Sequence, residues 1–513
     1  MVGIAGKSKA CYDCKRRRVK CDVTLPTCLR CSKAGIACRG YQQSTVWVHR
    51  TQTRPDVSAL SVVKDARLQE QRRQSSKTED SLSILHRMRL QVKANTSPYD
   101  IATFRLEALS IAESIYFPKV RVRRNDQDSG STPSSWLNAV CQMQRPSEPL
   151  DHSLIAFCAI QIRLSGEPGI SHDEAVRLYN HALSKIIIIL DSPYVGNSDE
   201  SLAAIVVLST CELFLFHASS SWNAHAQGIS EMLRQRAVSD SNTQDWSDLC
   251  RRLCVICLIQ ATIQKRPLLL EPHIWRQYVT PTTPASFSGL LDLAIDIPSI
   301  MAGAYDLSHT EHSLSDSIPY INLLIEKFHG INNWRALHDN ITWAQSQTPV
   351  YWSVPARTSN PTDNFYTDKL FPFALIFASI ESATAWIFGS SIMLDILDTI
   401  LLLHPSTNTH DTTLRSLDED SNDSNIFSVP ETVQLDADKI ARLLCQCIEY
   451  CYRTENGTFG PQITCYAQST LLRYFSRRGL NRELDWCRAI SDMTGPDASF
   501  GICLMQFKPL SVL

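Results

Sequence analysis

From Tyr99 onward, apolar residues recur every three or four positions, which is the spacing of helices that bury one face. Ile101, Phe104, Ala108, Leu109, Ile111, Ala112 and Ile115 fit one such face, and Pro118 ends it. The same periodicity predicts helices near 150–165, 172–190, 199–218, 222–236 and 246–264. It predicts others near 285–306, 318–344, 369–402, 433–453, 461–477 and 481–493. Gly/Pro/Ser-rich breaks separate them, and strict alternation bounded by turn pairs is scarce. Residues 99–513 therefore read as a large all-α body, able to bury its core in one or two packed helical layers.

Upstream the periodicity is lost. Residues 42–98 are rich in Ser, Thr, Gln and Arg, with Pro55 and Pro98 as breakers, and read as a flexible linker. Within it, Leu82, Leu85 and Met88/Arg89 keep helical spacing for a short helix. That is barely one and a half heptads, and a sustained coiled coil needs about three or four. A surface helix is the better reading, with a homodimer through this stretch left open. Residues 404–432 form a second interruption, predicted as a disordered acidic loop around Asp418, Glu419, Asp420 and Asp423. Leu414, Leu417, Ile426 and Phe427 interleave with those acids, so an activation segment is the minority reading. Two apolar runs, Leu202–Ala218 and Phe371–Leu403, carry Glu212 and Glu381, Asp395 and Asp398 respectively. Such charges are costly in lipid, so both read as core helices, and no membrane partner is expected.

The chain has 513 residues, 44% hydrophobic and 20% charged, as expected of a globular protein of two to four domains. Its net charge of −2 conceals an asymmetry. Residues 1–50 hold eleven Lys/Arg against Asp13 and Asp22, a balance of +9. The remainder holds 39 Lys/Arg against 50 Asp/Glu, a balance of −11. A basic head on an acidic body points to nucleic acid at one end only.

The head, residues 1–41, contains Cys11, Cys14, Cys21, Cys28, Cys31 and Cys38, which is C-x2-C-x6-C written twice with six residues between the copies. Zinc takes four ligands in a closed structural site, and thiolate is a preferred one. Six cysteines satisfy two zinc ions only if two sulfurs bridge both metals. A disulfide framework suits an oxidising compartment, but residues 1–20 show no apolar signal region, so nothing suggests export. A single four-cysteine site would leave the repeat unexplained. Between the second and third cysteines lie Lys15, Arg16, Arg17, Arg18 and Lys20. Six thiolates and two Zn2+ sum to −2, and cations beside that charge stabilise it. Five cations in six residues exceed that need, and the surplus suits a phosphate backbone or guanine O6 and N7.

These residues resemble the Zn2Cys6 binuclear cluster of fungal transcription factors. The resemblance covers about 30 residues without departure, including Pro26 in the connecting loop; Gly40, Tyr41 … Trp47 beyond them read either as the family's closing continuation or as a linker with chance aromatics. It implies that Cys11 and Cys28 bridge the two zincs. It also implies that a short helix after Cys14 enters the major groove of double-stranded DNA and reads a CGG-type triplet. By position, Arg17 and Arg18 are candidates for base contact. Lys15, Arg16 and Lys20 are candidates for holding phosphates or screening the cluster. A softer resemblance, to the fungal-specific transcription factor domain, rests on Tyr179, Ala182-Leu183, Leu202-Ala203, Val206-Val207-Leu208, Cys211-Glu212, Trp222, His225 and Gly228. There Gly228 would let a neighbouring helix approach closely, and His225 reads as a core histidine.

Twelve cysteines lie outside the head. Cys250, Cys254 and Cys257, and Cys445, Cys447 and Cys451, sit in apolar helical runs and read as buried thiols rather than a second metal site. No hydrolase, metalloprotease, nucleotide or dinucleotide motif is found, and nothing argues for an enzyme. The expectation is a mainly α protein: a small zinc cluster with two Zn2+, a linker, and a helical regulatory body. It would be a nuclear, sequence-specific regulator of RNA polymerase II genes, with co-regulators or a small-molecule effector as open partners. The competing class is a structural chromatin or kinetochore component that uses the same finger.

Overall fold

The computed structural model describes residues 10–22, 24, 27–36, 38, 81–92, 100–118, 135–166, 169–190, 198–215, 220–235, 244–279, 281, 283–357, 360–364, 368–403 and 429–490. The chain divides into two compact units, Met1–Arg72 and Arg73–Leu513. In the first, α1 (Tyr12–Arg16) and α2 (Leu29–Lys33) each follow the first cysteine of a repeat.

The second unit is helical for most of its described length. Helix α3 spans 81–92, and Leu85 and Met88 are buried in the same core as the rest of the unit, so the short helix placed in the linker belongs to the body. Next come α4 (Ile101–Ile115), α5 (Ser135–Gln142), α6 (Glu148–Leu164), α7 (His172–Leu190), α8 (Asp199–Leu215), α9 (Ser220–Gln235) and α10 (Gln244–Gln264). The local signals are visible. Asp100 accepts from the Ala102 N–H to cap α4, and Ser147 caps α6 with Pro149 in its first turn. Helices α6 and α8 are apolar on nearly every face and buried accordingly, as helices inside a core must be. The Tyr179 hydroxyl of α7 donates to the Glu212 carboxylate of α8, joining two residues of the softer resemblance. A Cβ on Gly228 would meet nothing within 4 Å among the described residues. The side chains of Trp222 and His225 lie outside the described set.

The chain continues with α11 (Pro272–Tyr278), α12 (Phe287–Ala294), α13 (Ile297–Ser308) and α14 (Leu314–Ser346). The single helix predicted near 285–306 is thus two helices. Pro298 sits in the first turn of α13, where its missing N–H costs nothing and its ring bars a continuous helix. A capping box at Ser313 and Asp316 starts α14 ahead of Pro319. Part of the run predicted as helix near 369–402 is strand. β1 (Tyr351–Pro355) pairs antiparallel with β2 (Phe373–Phe377), Tyr351 facing Phe377 and Pro355 facing Phe373. The hairpin corrects the all-α reading locally. Its physical cause is burial by a neighbour: Tyr351 and Phe377 close on Trp386 at ring distances of 5.3 and 5.7 Å.

Helix α15 (Ile380–Leu403) is the core of the C-terminal half, covered by α14, α16 (Val429–Cys451) and α17 (Phe459–Arg478), with α18 (Asn481–Ala489) on α17. The predicted acidic loop 404–432 lies outside the described residues up to 428, and its last four residues begin α16. Two stretches, Phe287–Ser308 and Ile380–Leu403, are long and apolar enough to cross a bilayer, but 67% and 89% of their apolar windows are buried inside the fold. The two buried acids of α15 are answered internally: Asp395 accepts from the Tyr466 hydroxyl at 2.7 Å and Arg473 at 2.8 Å, and Asp398 pairs with Arg477 at 3.0 Å.

The end of α4 is stitched to the start of α17. Thr458 and Phe459 N–H groups donate to the Ile115 and Tyr116 carbonyls at 3.2 and 3.3 Å. Gly457, directly before them, has φ +58°, and a Cβ there would lie 2.3 Å from the Ile115 carbonyl oxygen. Gly457→Ala combines overpacking, about 1–3 kcal/mol, with a left-handed backbone, about 1–2 kcal/mol. It is expected to lower the urea midpoint of the body by the equivalent of about 2–5 kcal/mol. An unchanged midpoint would show that this seam is loose.

Candidate metal centre

The six cysteines fold as two copies of one local unit, offset by 17 residues. In each copy the first cysteine sulfur accepts the backbone N–H of the second, Cys14 to Cys11 and Cys31 to Cys28, both at 3.3 Å. The short helix then ends in the same left-handed turn. Val19 N–H returns to the Cys14 carbonyl at 3.1 Å across Arg18, whose φ is +54°. Ile36 N–H returns to the Cys31 carbonyl at 3.0 Å across Gly35, whose φ is +64°. The copies are backbone-equivalent and differ in what occupies the turn.

The two units face each other through sulfur. Cys11 and Cys14 Sγ lie 3.6 Å from Cys28 Sγ, and 3.7 and 3.9 Å respectively from Cys31 Sγ. A zinc–sulfur bond of about 2.3 Å in a tetrahedron puts neighbouring sulfurs about 3.8 Å apart. The Cys11–Cys28, Cys14–Cys28 and Cys11–Cys31 separations fit that edge. Two four-sulfur groups result, Cys11–Cys14–Cys21–Cys28 and Cys11–Cys28–Cys31–Cys38, each with all sulfurs within 4.8 Å. Cys11 and Cys28 belong to both. Cys11, Cys14, Cys28 and Cys31 are fully buried, while Cys21 and Cys38 are partly exposed. Without a cation, burial and the hydrogen bond to Cys11 push the Cys14 thiol up to about 12, and burial raises Cys28 as well. Metal binding must therefore displace protons, and the donor set suits zinc, a borderline-soft ion.

The basic run lies where α1 ends. Arg16, Arg17, Arg18 and Lys20 are exposed, and Arg16 reaches the buried Asp13 carboxylate at 3.6 Å. Lys15 is on α1, with its side chain outside the described set, and Pro26, Gly40, Tyr41 and Trp47 also lie outside it. Asp22 is a residue the sequence reading missed. Its carboxylate accepts from the Thr24 hydroxyl and from the backbone N–H groups of Leu29 and Arg30 at 2.9 and 3.0 Å, tying the first half of the repeat to the start of α2. These bonds, Thr24 foremost, hold its carboxyl well below the usual carboxylate range. The available signal was the D-x-T turn chemistry directly after Cys21.

Comparison with known proteins finds two family domains in the chain: the fungal Zn(2)-Cys(6) binuclear cluster domain over residues 9–47 and the fungal specific transcription factor domain over residues 127–328. The acriflavine sensitivity control protein acr-2 of Neurospora crassa is 57% identical over 37 residues, which are 7% of this chain and 6% of that protein. The transcriptional regulatory protein moc3 of Schizosaccharomyces pombe is 53% identical over 34 residues, 7% of each chain. The alignments thus span under a tenth of either relative. No solved structure matches the chain significantly.

Two substitutions test the local architecture. Arg18→Gly gives its turn the residue that the equivalent turn already has, and should relieve about 1–2 kcal/mol of left-handed strain, slowing zinc loss to a competing chelator. Asp22→Ala removes the tie to α2 and should speed that loss. Equal release rates in both variants and the parent would show that neither residue shapes the fold.

Proposed function

Because the chain carries both a fungal Zn2Cys6 cluster domain and a fungal specific transcription factor domain, we propose that it is a nuclear, zinc-dependent, sequence-specific DNA-binding regulator of RNA polymerase II transcription that reads CGG-type sites. Both domains are those of transcription factors rather than enzymes. The observation that carries the reading is the pair of four-sulfur groups sharing Cys11 and Cys28, set directly behind an exposed basic turn. Two zinc ions held by six sulfurs account for every cysteine of the repeat, with Cys11 and Cys28 as the bridging ligands.

So small a unit has almost no apolar core, and the metal supplies its folding free energy. Rigidity then becomes useful to DNA binding. Arg17 and Arg18 project from the end of α1 and its turn, and are assigned to guanine O6 and N7. Lys15, Arg16 and Lys20 are assigned to phosphates, Arg16 being also tied to Asp13. The helical body is assigned the regulatory role, through co-regulators or an effector.

Zinc content distinguishes bridging from terminal sulfurs. The parent should hold two zinc ions per chain by elemental analysis. Cys38→Ser leaves one four-sulfur group complete and should retain about one. Cys28→Ser breaks both groups and should retain less than one. Equal losses in the two variants would remove the bridging assignment.

DNA reading is tested with the full chain and randomised duplexes. Enrichment of CGG-type triplets is expected, with a loss of about 1–3 kcal/mol in discrimination for Arg18→Ala. Lys20→Ala should weaken all sequences alike and lower the salt slope by about one. Enrichment of two triplets at fixed spacing would establish a dimer, and of one a monomer. Salt-sensitive affinity without any enrichment would overturn sequence-specific regulation and favour a chromatin component.

A further inference from the structure

Of the fifteen large hydrophobic side chains exposed among the described residues, six lie on one helix, α14: Leu314, Ile318, Leu323, Leu337, Ile341 and Trp343. The helix is 33 residues long, about 50 Å. Its inner side is settled, with Ile321, Leu324, Ile331 and Trp334 buried and α12, α13 and α15 packed on it. Its outer side stays open to solvent at every turn. The apolar residues there form two rows. At 3.6 residues per turn, Pro319, Leu323, Leu337 and Ile341 fall within about 40° of one another around the axis. Leu314, Ile318 and Trp343 fall within about 40° of one another on the opposite flank of the face. Between the rows runs a seam of polar side chains, Asn322, Glu326, Asn333 and Asn340.

Both rows are arranged about the midpoint of the helix, Gly330. Pro319 and Ile341 lie eleven residues either side of it, Leu323 and Leu337 seven, and Ile318 and Trp343 twelve and thirteen. The exposed acids are arranged differently. Asp316 and Glu326 both precede the midpoint, and from Asn332 to Ser346 the exposed positions carry no formal charge. A spacing that reads the same from either end suits a helix that packs on a reversed copy of itself. We infer that the outer face of α14 is a homodimer surface, on which a second copy of this chain lays its own α14 antiparallel about a two-fold axis at Gly330. The two-fold sets Leu323 against Leu337 of the second copy and Pro319 against its Ile341, and makes each contact twice. On the other flank Ile318 meets Trp343. In the seam Asn322 comes opposite Asn340 and Glu326 opposite Asn333, and an amide, with both donors and an acceptor, answers either. Charge fixes the direction. A parallel copy would stack Asp316 on Asp316 and Glu326 on Glu326. The reversed copy sets the acidic half of each helix against the uncharged half of the other and aligns the two helix dipoles favourably. An unrelated partner would impose no such symmetry on the face.

The inference concerns the body alone and does not depend on the DNA-binding reading. It is tested on the zinc-loaded full chain without DNA, by sedimentation velocity from sub-micromolar to high-micromolar protein. A concentration-dependent dimer is expected. Leu323→Glu and Leu337→Lys each put a charge against an apolar residue twice per dimer, and each should weaken association at least about ten-fold. The two positions are 44% and 41% exposed, so the far-ultraviolet circular dichroism of the variants should match the parent. The decisive variant combines both substitutions. Within one helix the positions are fourteen residues, about 21 Å, apart and do not meet. Across the two-fold each new carboxylate faces a new ammonium, so the double variant should recover most of the lost affinity. A chain that stays monomeric at every concentration, leaving the face to a different protein, would overturn the inference. So would a dimer indifferent to both single substitutions, or a double variant no tighter than the singles.

Discussion

Two buried sulfurs of each repeat, facing those of the other at 3.6 to 3.9 Å, are the constraint on which the N-terminal unit depends. Thiolates so placed repel, and thiols so placed offer only weak contacts. A divalent cation resolves both problems and replaces the apolar core the segment lacks. The other local features serve that arrangement. Cys11 and Cys28 sulfurs accept backbone N–H groups, the two left-handed turns return the chain toward the third cysteine of each repeat, and Asp22 ties one repeat to the helix of the other. Arg16, Arg17, Arg18 and Lys20 stay exposed, with Arg16 alone reaching back to the buried Asp13 among them.

The body solves a different problem, the burial of polar groups in long helices that are apolar on nearly every face. Each solution is specific. Tyr179 meets Glu212, Arg473 and Tyr466 meet Asp395, and the buried Arg105 meets Asp151 at 3.4 Å and the Arg145 carbonyl at 2.8 Å. Arg252 and Arg335 are instead half-buried cations that lie over the Trp136 and Trp386 rings, at 5.4 and 4.8 Å.

Residue spacing made the cysteine cluster legible because metal coordination converts sequence intervals directly into geometry. Helices with one apolar face were legible for the same kind of reason: α7 runs from His172 to Leu190, where the periodicity put it. Short helices such as Ser135–Gln142 and Pro272–Tyr278 were not, since one or two turns carry too few residues to establish a period. The Phe373–Phe377 strand was hidden inside a long apolar run whose conformation is decided by Tyr351 and Trp386, one distant and one a few residues on. Asp22 was harder to read for a related reason: its D-x-T spacing signals a turn, but its role depends on which distant backbone N–H groups come to its carboxylate.

The sulfur separations also bear on oxidation. A disulfide bond is about 2.05 Å long, so sulfurs 3.6 Å apart need little movement to join. While metal holds them, their lone pairs are engaged and their positions fixed. Once metal leaves, each sulfur lies beside its natural reaction partner, and Cys21 and Cys38 at the partly exposed rim are open to oxidant. Zinc thus acts in this unit as a protecting group in the chemist's sense, and the redox poise of its surroundings decides whether metal loss can be reversed.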